Sequence, residues 1–484
     1  MKHTAAVLAA STATFVLLFS PVSAAPRLIG PPVREGTLFQ VPLPILPVLA
    51  PTSSDATTDY YDITMEVGQK QILSSGELTT IWGYNGFYPG PTIMAQRGRT
   101  VVVRQVNHLQ ESMSVHLHGG HTSSDSDGLP YDLIGPGANK TYTYANNQAA
   151  ATLWYHDHAI DVTGRHNYMG LSGFYLIHDP ADDLLGLPSG DYDIPLTIQD
   201  RLFNSDGSLN YPLDDNTIIS GVFGDTLLVN GAIQPYFEVA RRKYRFRILN
   251  SSNARIYTLA LSSGDDLVQI ASDGGLLAAP VSRSAITVSP AERVEVVIDF
   301  ANYPLGTSLI LKNQDTTAPR ITDIMRFDVV RDEPDNSTVP AILRPELKKQ
   351  RVIPGGGDPV ERTFTLEPGT IDGRSVWTIN GQLYDPARID AAPHLNATEI
   401  WTFQNNSGLR HPMHIHDIEW HILDINGVPP APGDDGLKDT FLVPAHGTVR
   451  VMGTFTDYLG DYVSHCHNLE HEDHAMMFNF EVQP

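Results

Sequence analysis

The sequence predicts an all-β protein made of consecutive β-sandwich domains. Three observations carry that expectation. Apolar residues recur with period two in short runs such as Tyr61, Ile63, Met65 and Val67, the spacing that places side chains on one face of a strand. Long stretches of helical period are scarce. Glycine (39) and proline (35) together supply 74 of 484 residues, which favours frequent turns over long helices. Short strands separated by turns pack as sandwiches.

Along the chain, residues 1–24 begin with Lys2, continue through an apolar stretch and end on Val22-Ser23-Ala24. They are expected to be a secretory signal peptide cleaved before Ala25. The stretch is too short, and too interrupted by Ser11, Thr12 and Thr14, to span a membrane. Residues 25–59 form an N-terminal arm, in which Pro42, Pro44 and Pro47 exclude a helix between Val41 and Ala50. The first domain, residues 60–185, holds the Tyr61–Val67 alternation and the Val101–Val103 run. The second, residues 186–331, holds Tyr244–Leu249 and Val294–Phe300. A linker at 332–360 carries Pro334, Pro340, Pro345 and Gly355-Gly356-Gly357. The third domain, residues 361–484, holds Val449–Phe455. Each block has the size of an ordinary domain. No strict short-period repeat is visible.

Composition excludes some functions. A formal charge of −23 argues against nucleic acid as a partner. The single cysteine, Cys466, excludes an intramolecular disulfide, so apolar cores must hold the fold. Sequons at Asn139, Asn250, Asn336, Asn396 and Asn405 fit a secreted, extracellular glycoprotein.

Nineteen histidines stand against that one thiol. Ten of them fall in four clusters: His116-Leu117-His118, His156-Asp157-His158, His411-Pro412-Met413-His414-Ile415-His416, and His465-Cys466-His467 with His471 beyond. On a strand, residues i and i+2 share a face, so each His-x-His pair can offer two imidazoles to one metal cluster. His465 and His467 then face one way and Cys466 the other, which lets one tripeptide serve two centres. A thiolate, two imidazoles and a weak axial thioether form the blue-copper donor set. Cys466, His471 and Met476 fit it, and His411 can supply the second imidazole. The remaining eight, His116, His118, His156, His158, His414, His416, His465 and His467, suit copper, zinc or iron, and the neighbouring thiolate favours copper.

These residues resemble the multicopper oxidase family. Further likenesses lie in Tyr84 to Ile93, Val229-Asn230-Gly231, Tyr244-Arg245-Phe246-Arg247 and Ala271 to Gly275. The segments Leu153–His158 and His465–Met477 are similar to those of bilirubin oxidases and spore-coat laccases. The resemblance implies three consecutive cupredoxin-like Greek-key domains and four copper ions. It implies a type 1 site of His411, Cys466, His471 and axial Met476. His116 and His414 match type 2 ligands. His118, His156, His158, His416, His465 and His467 match the type 3 pair. The three-copper cluster is expected between the first and third domains, with the second as spacer and wall. Electrons from a small-molecule reductant would enter through an exposed His411 and pass from Cys466 through His465 and His467, and dioxygen would be reduced to water. Asp127 and Glu472 match proton-relay positions. No membrane partner is implied, and a monomer is expected.

One departure bears on substrate: bilirubin oxidases carry tryptophan two residues before the type 1 histidine, where this chain has Leu409, followed by Arg410. A phenolic, aromatic-amine or tetrapyrrole reductant is therefore weighed against Mn(II) or Fe(II), for which Asp417, Glu419, Asp424, Asp434 and Asp435 could rim a site. A third reading is a copper-free structural or assembly protein, which would be expected to show broken ligand positions.

Overall fold

The computed structural model describes residues 38–348 and 359–484, apart from residues 75, 318 and 372. The predicted signal peptide and the Gly355–Gly357 stretch lie outside the described residues.

Among the described residues, six sheets pack in three pairs. Strands between Ser53 and His178 form a five-stranded and a four-stranded sheet, and those between Asp193 and Arg331 a seven- and a five-stranded sheet. Strands between Val360 and Val482 form a six- and a five-stranded sheet. Each pair encloses its own core. Tyr61, Ile63 and Met65 meet Leu153, Tyr155 and Tyr175 in the first. Leu196, Phe246 and Val296 meet Leu259 and Phe327 in the second. Trp401 and Phe403 meet Phe478 and Phe480 in the third. Burial of such faces, at roughly 25 cal/mol per Å2 of apolar surface, is what stabilises a chain without cross-links.

The predicted runs lie on strands Thr58–Gln71, Thr100–Asn107, Lys243–Asn250, Arg293–Asp299 and Thr448–Thr454. Val67 departs from expectation: Tyr61, Ile63 and Met65 are buried, but Val67 is 58% exposed. The strand runs on past the core there, pairing with Leu78–Tyr84 as a hairpin arm.

The structure also shows a repeat that the residues conceal. In each block one strand pairs parallel within each of its two sheets. The pairs are Thr58–Gln71 with Thr100–Asn107 and Gly90–Gln96 with Ser172–His178. Their counterparts are Asp193–Arg201 with Lys243–Asn250 and Tyr236–Ala240 with Asp323–Arg331. In the third block they are Val360–Ile371 with Thr398–Asn405 and Ile389–Ala391 with Met477–Val482. The arm ties the first two blocks together. Its prolines hold it extended, and residues three apart share a side. Leu43 enters the second core, Leu46 the interface and Leu49 the edge of the first core.

Candidate metal centre

The clusters sit where strands of the first and third blocks face each other. Val115–His118 pairs with Ala151–Asp157 so that His116 lies opposite His156. His411–Ile415 pairs with Gly460–Cys466 so that His414 lies opposite His465 and Met413 opposite Cys466. Strand alternation then sorts the side chains as expected: His465 and His467 face the first block, and Cys466 turns into the third.

Three nests of imidazole result. His118, His156 and His467 converge in one, and His158, His416 and His465 in a second. His116 and His414 meet in a third, with His118 beside them. All eight are at most 1% exposed. Ring nitrogens approach one another: His158 to His465 at 3.1 Å, His416 to His465 at 3.3 Å, His118 to His156 at 3.4 Å and His116 to His414 at 3.5 Å. The opposite nitrogens explain why. His116 Nδ1 donates to the Asp127 carbonyl at 2.6 Å, His156 Nδ1 to the Asp157 carbonyl at 2.8 Å and His414 Nδ1 to the Asp439 carbonyl at 2.9 Å. His416 Nδ1 donates to Asp127 Oδ2 at 2.7 Å, and His118 Nε2 to Asp439 Oδ1 at 3.1 Å. His465 Nδ1 lies 2.9 Å from Glu472 Oε2. With the proton fixed on the outer nitrogen, the inner lone pairs point at each other. Burial holds His156 near 3 and His158 near 4, and it sets His116, His118, His414, His416 and His467 well below the ordinary imidazole value. Neutral rings with converging lone pairs, and both nitrogens of His467 unpartnered, suit cations at the nest centres.

The fourth nest lies on the other side of the Gly460–Cys466 strand. Cys466 Sγ is 3.6 Å from His411 Nδ1 and 3.6 Å from His471 Nδ1. The outer nitrogens are again tied, His411 Nε2 to Ser407 Oγ at 3.1 Å and His471 Nε2 to the Ile219 carbonyl at 2.9 Å. Burial pushes the Cys466 thiol up, so a thiolate here requires a cation against it. Met476 is buried in the same core, and its carbonyl accepts from the Cys466 amide at 3.1 Å. The set of one sulfur and two imidazoles fits copper.

Both expected acids reach the centre. Asp127 is fully buried between His116 and His416. Burial, reinforced by Asp417, raises its carboxyl well above the ordinary range. Glu472 lies between His465 and His158. Burial alone would raise it, but the two imidazoles outweigh that and hold it near 2. Glycines allow the close approach. At Gly119 (φ +83°) a Cβ would lie 2.5 Å from Arg293 Nη2, and at Gly128 (φ +74°) 2.1 Å from the Val115 carbonyl oxygen.

Two expectations change. His411 is not exposed: its accessibility is 0%, under Trp377, whose ring stands 4.7 Å from it. The short helix Asp215–Ser220 of the second block covers His471 through Ile219. The second block is also more than a wall. Its Arg293 reaches across to Asp439, which orients His118 and His414. Sequence reasoning missed Arg293, Asp439, Ser407 and Trp377. None lies in a ligand-like spacing, so no local signal pointed to them. Of the acids proposed as a cation rim, Asp424 pairs with Arg450 at 3.0 Å and Asp434 with Arg283 at 2.8 Å, whereas Glu419 closes on His121 and Asp417 lies buried beside them. Asn250 and Asn405 are buried with their amide nitrogens donating to backbone carbonyls, whereas Asn139, Asn336 and Asn396 are exposed.

Comparisons with known proteins agree with this geometry. Residues 66–182 and residues 359–484 each match a family model described as multicopper oxidase. The chain is 38% identical to a laccase of Bacillus subtilis, covering 91% of this chain and 97% of that protein. It is 36% identical to a bilirubin oxidase of Albifimbria verrucaria, covering 92% and 82%. Among solved structures, a laccase from Pediococcus acidilactici superposes with a TM-score of 0.84 at 31% identity, covering 94% of this chain and 96% of that one.

Proposed function

The chain belongs to the multicopper oxidase family, and from that premise we propose that it oxidises phenolic, aromatic-amine or tetrapyrrole reductants one electron at a time and reduces dioxygen to water. The observation that carries this reading is the single tripeptide His465-Cys466-His467, which joins a sulfur–imidazole nest to the eight-histidine nests.

By this reading His411, Cys466, His471 and Met476 hold the type 1 copper. His116 and His414 hold the type 2 ion, and His118, His156, His158, His416, His465 and His467 the type 3 pair. Bound copper supplies the redox chemistry: single-electron acceptance at the first site and four-electron delivery to dioxygen at the other three. The residues do the rest. Cys466 connects the two regions through covalent bonds to its neighbours, so the donors are held at fixed separation. Trp377 and Ile219 keep water from His411 and His471. A reductant therefore meets the surface around half-exposed Leu409 rather than an imidazole edge. Asp127 and Glu472 each lie against two of the ligand histidines, and by this reading protonated Asp127 donates protons to the dioxygen side while ionised Glu472 accepts and passes them on. Leu409 in place of tryptophan weighs against bilirubin itself. Asp424 and Asp434 are paired with arginines and Glu419 with His121, and these engaged acids weigh against a metal-ion substrate.

We also assign the protein to the extracellular space, on the strength of residues 1–24 and the three exposed sequons. N-terminal sequencing of secreted protein should begin at Ala25.

The function is tested by purifying the protein, counting copper and recording dioxygen uptake with bilirubin, a phenol, an electron-rich mediator, Mn(II) and Fe(II). About four coppers per chain, a blue colour and uptake with the aromatic donors are expected. A colourless protein that takes up no copper would sink the proposal.

A further inference from the structure

A cleft of about 950 Å3 opens between the first and third blocks. At its floor lies a constriction of about 10 Å3, walled on the inner side by His116, His414 and His416, space for roughly one water. His121 and Ile418 line both the cleft and the constriction, so they stand at the neck between solvent and the eight histidines.

The neck is charged. His121, from the first block, is clamped by two carboxylates of the third. Its Nδ1 lies 2.5 Å from Asp457 Oδ2, and its Nε2 closes on Glu419. Its backbone amide donates to Gln148 Oε1 at 2.7 Å, and Gln148 donates in turn to the Gly119 carbonyl at 2.7 Å. The side chains are only 15%, 11% and 32% exposed for His121, Glu419 and Asp457. Burial opposes a charged imidazole here, but the two carboxylates outweigh it and raise His121 well above its ordinary value. One step deeper, Asp417 lines the constriction at 3% exposure, with neither carboxylate oxygen hydrogen-bonded. Nearer solvent the arginines are already paired, Arg97 with Asp179 at 2.9 Å and Arg344 with Glu346 at 3.0 Å. Among the described residues, the two carboxylates Glu419 and Asp457 thus outnumber the single cation His121 that they clamp. In a water-poor channel such an excess repels anions over several ångströms.

We propose that His121, Glu419 and Asp457 form a gate that passes water and protons to the eight-histidine centre and excludes small copper-binding anions. The reaction asks for this selectivity. One dioxygen takes up four electrons and four protons and leaves as two waters, so cations and neutral molecules must cross, and anions need not. The proposal rests on the multicopper oxidase function stated above.

The test is an azide titration of the oxidised, copper-loaded protein, followed by the azide-to-copper absorption at low and high salt. Glu419→Gln/Asp457→Asn is expected to tighten azide binding at least tenfold at low salt, with the gain shrinking as salt screens the neck. Asp434→Asn, which is paired with Arg283 and does not line the cleft, is expected to change it less than twofold. If the double variant does not retain copper, Asp457→Asn alone is read, with a threefold gain expected. A blue, four-copper variant with azide affinity within twofold of the parent overturns the gate alone. A parent protein that binds no copper overturns the gate together with the function it rests on.

Discussion

Arg293 offers the sharpest test of how the three blocks are held in register. It is 0% exposed, and its five donors are all engaged. They reach the Thr152 carbonyl at 2.8 Å, the Ala291 carbonyl at 3.2 Å, the Asp273 carbonyl at 3.3 Å, and both Asp439 oxygens at 2.7 and 2.5 Å. Three blocks therefore meet at one guanidinium. Arg293→Met would leave Asp439, itself 2% exposed, as a buried charge without its bidentate partner. Breaking one side of such a pair costs about 3–5 kcal/mol. With a urea slope of about 3 kcal/mol/M, the unfolding midpoint should fall by roughly 1–2 M. Asp439 also orients His118 and His414, so copper per chain should fall as well. The control is Arg293→Met/Asp439→Asn. It removes the stranded charge and should recover more than half of the lost stability, because a paired charge is worth much less than an orphaned one costs. A midpoint shift under about 0.3 M in the single variant, or a double variant no more stable than the single, would refute the reasoning.

Other changes have equally definite outcomes. Cys466→Ser should abolish the blue absorption and lower the copper count by one while leaving the fold intact, as circular dichroism would show. Gly128→Ala forces a Cβ to 2.1 Å from the Val115 oxygen at φ +74°. It should cost at least about 2 kcal/mol, measured by thermal unfolding. Trp377→Ala empties the space beside His411 and His471 and should cost about 3–5 kcal/mol, with a change in the visible spectrum that Trp377→Phe largely spares. Burial pulls Lys70 down to about 8. The unfolded chain keeps that proton up to about 10.5, so between these values the unfolded state binds more protons and stability rises with pH, by at most about 3 kcal/mol. Denaturation at pH 7 and 9.5 should show the rise, and Lys70→Met should flatten it.

Which histidines can converge on a shared centre was legible in the residues because it depends on local geometry. A strand puts i and i+2 on one face, so His465 and His467 had to part from Cys466 whatever the rest of the chain did. Composition and turn frequency determined the all-β class in the same way. Tertiary structure alone decided which outer nitrogen is tied to what. Asp439 lies 321 residues from the His118 it orients, and no periodicity spans that distance. The burial of His411, and the closure of Asn250 and Asn405 to glycosylation, follow from packing that brings Trp377 and distant carbonyls against them. The threefold repeat of parallel pairs escaped the sequence because backbone hydrogen bonds, which define it, are indifferent to side-chain identity. Ligand type was written in neighbouring residues. Their protonation, shielding and access were set by residues that only folding brings near.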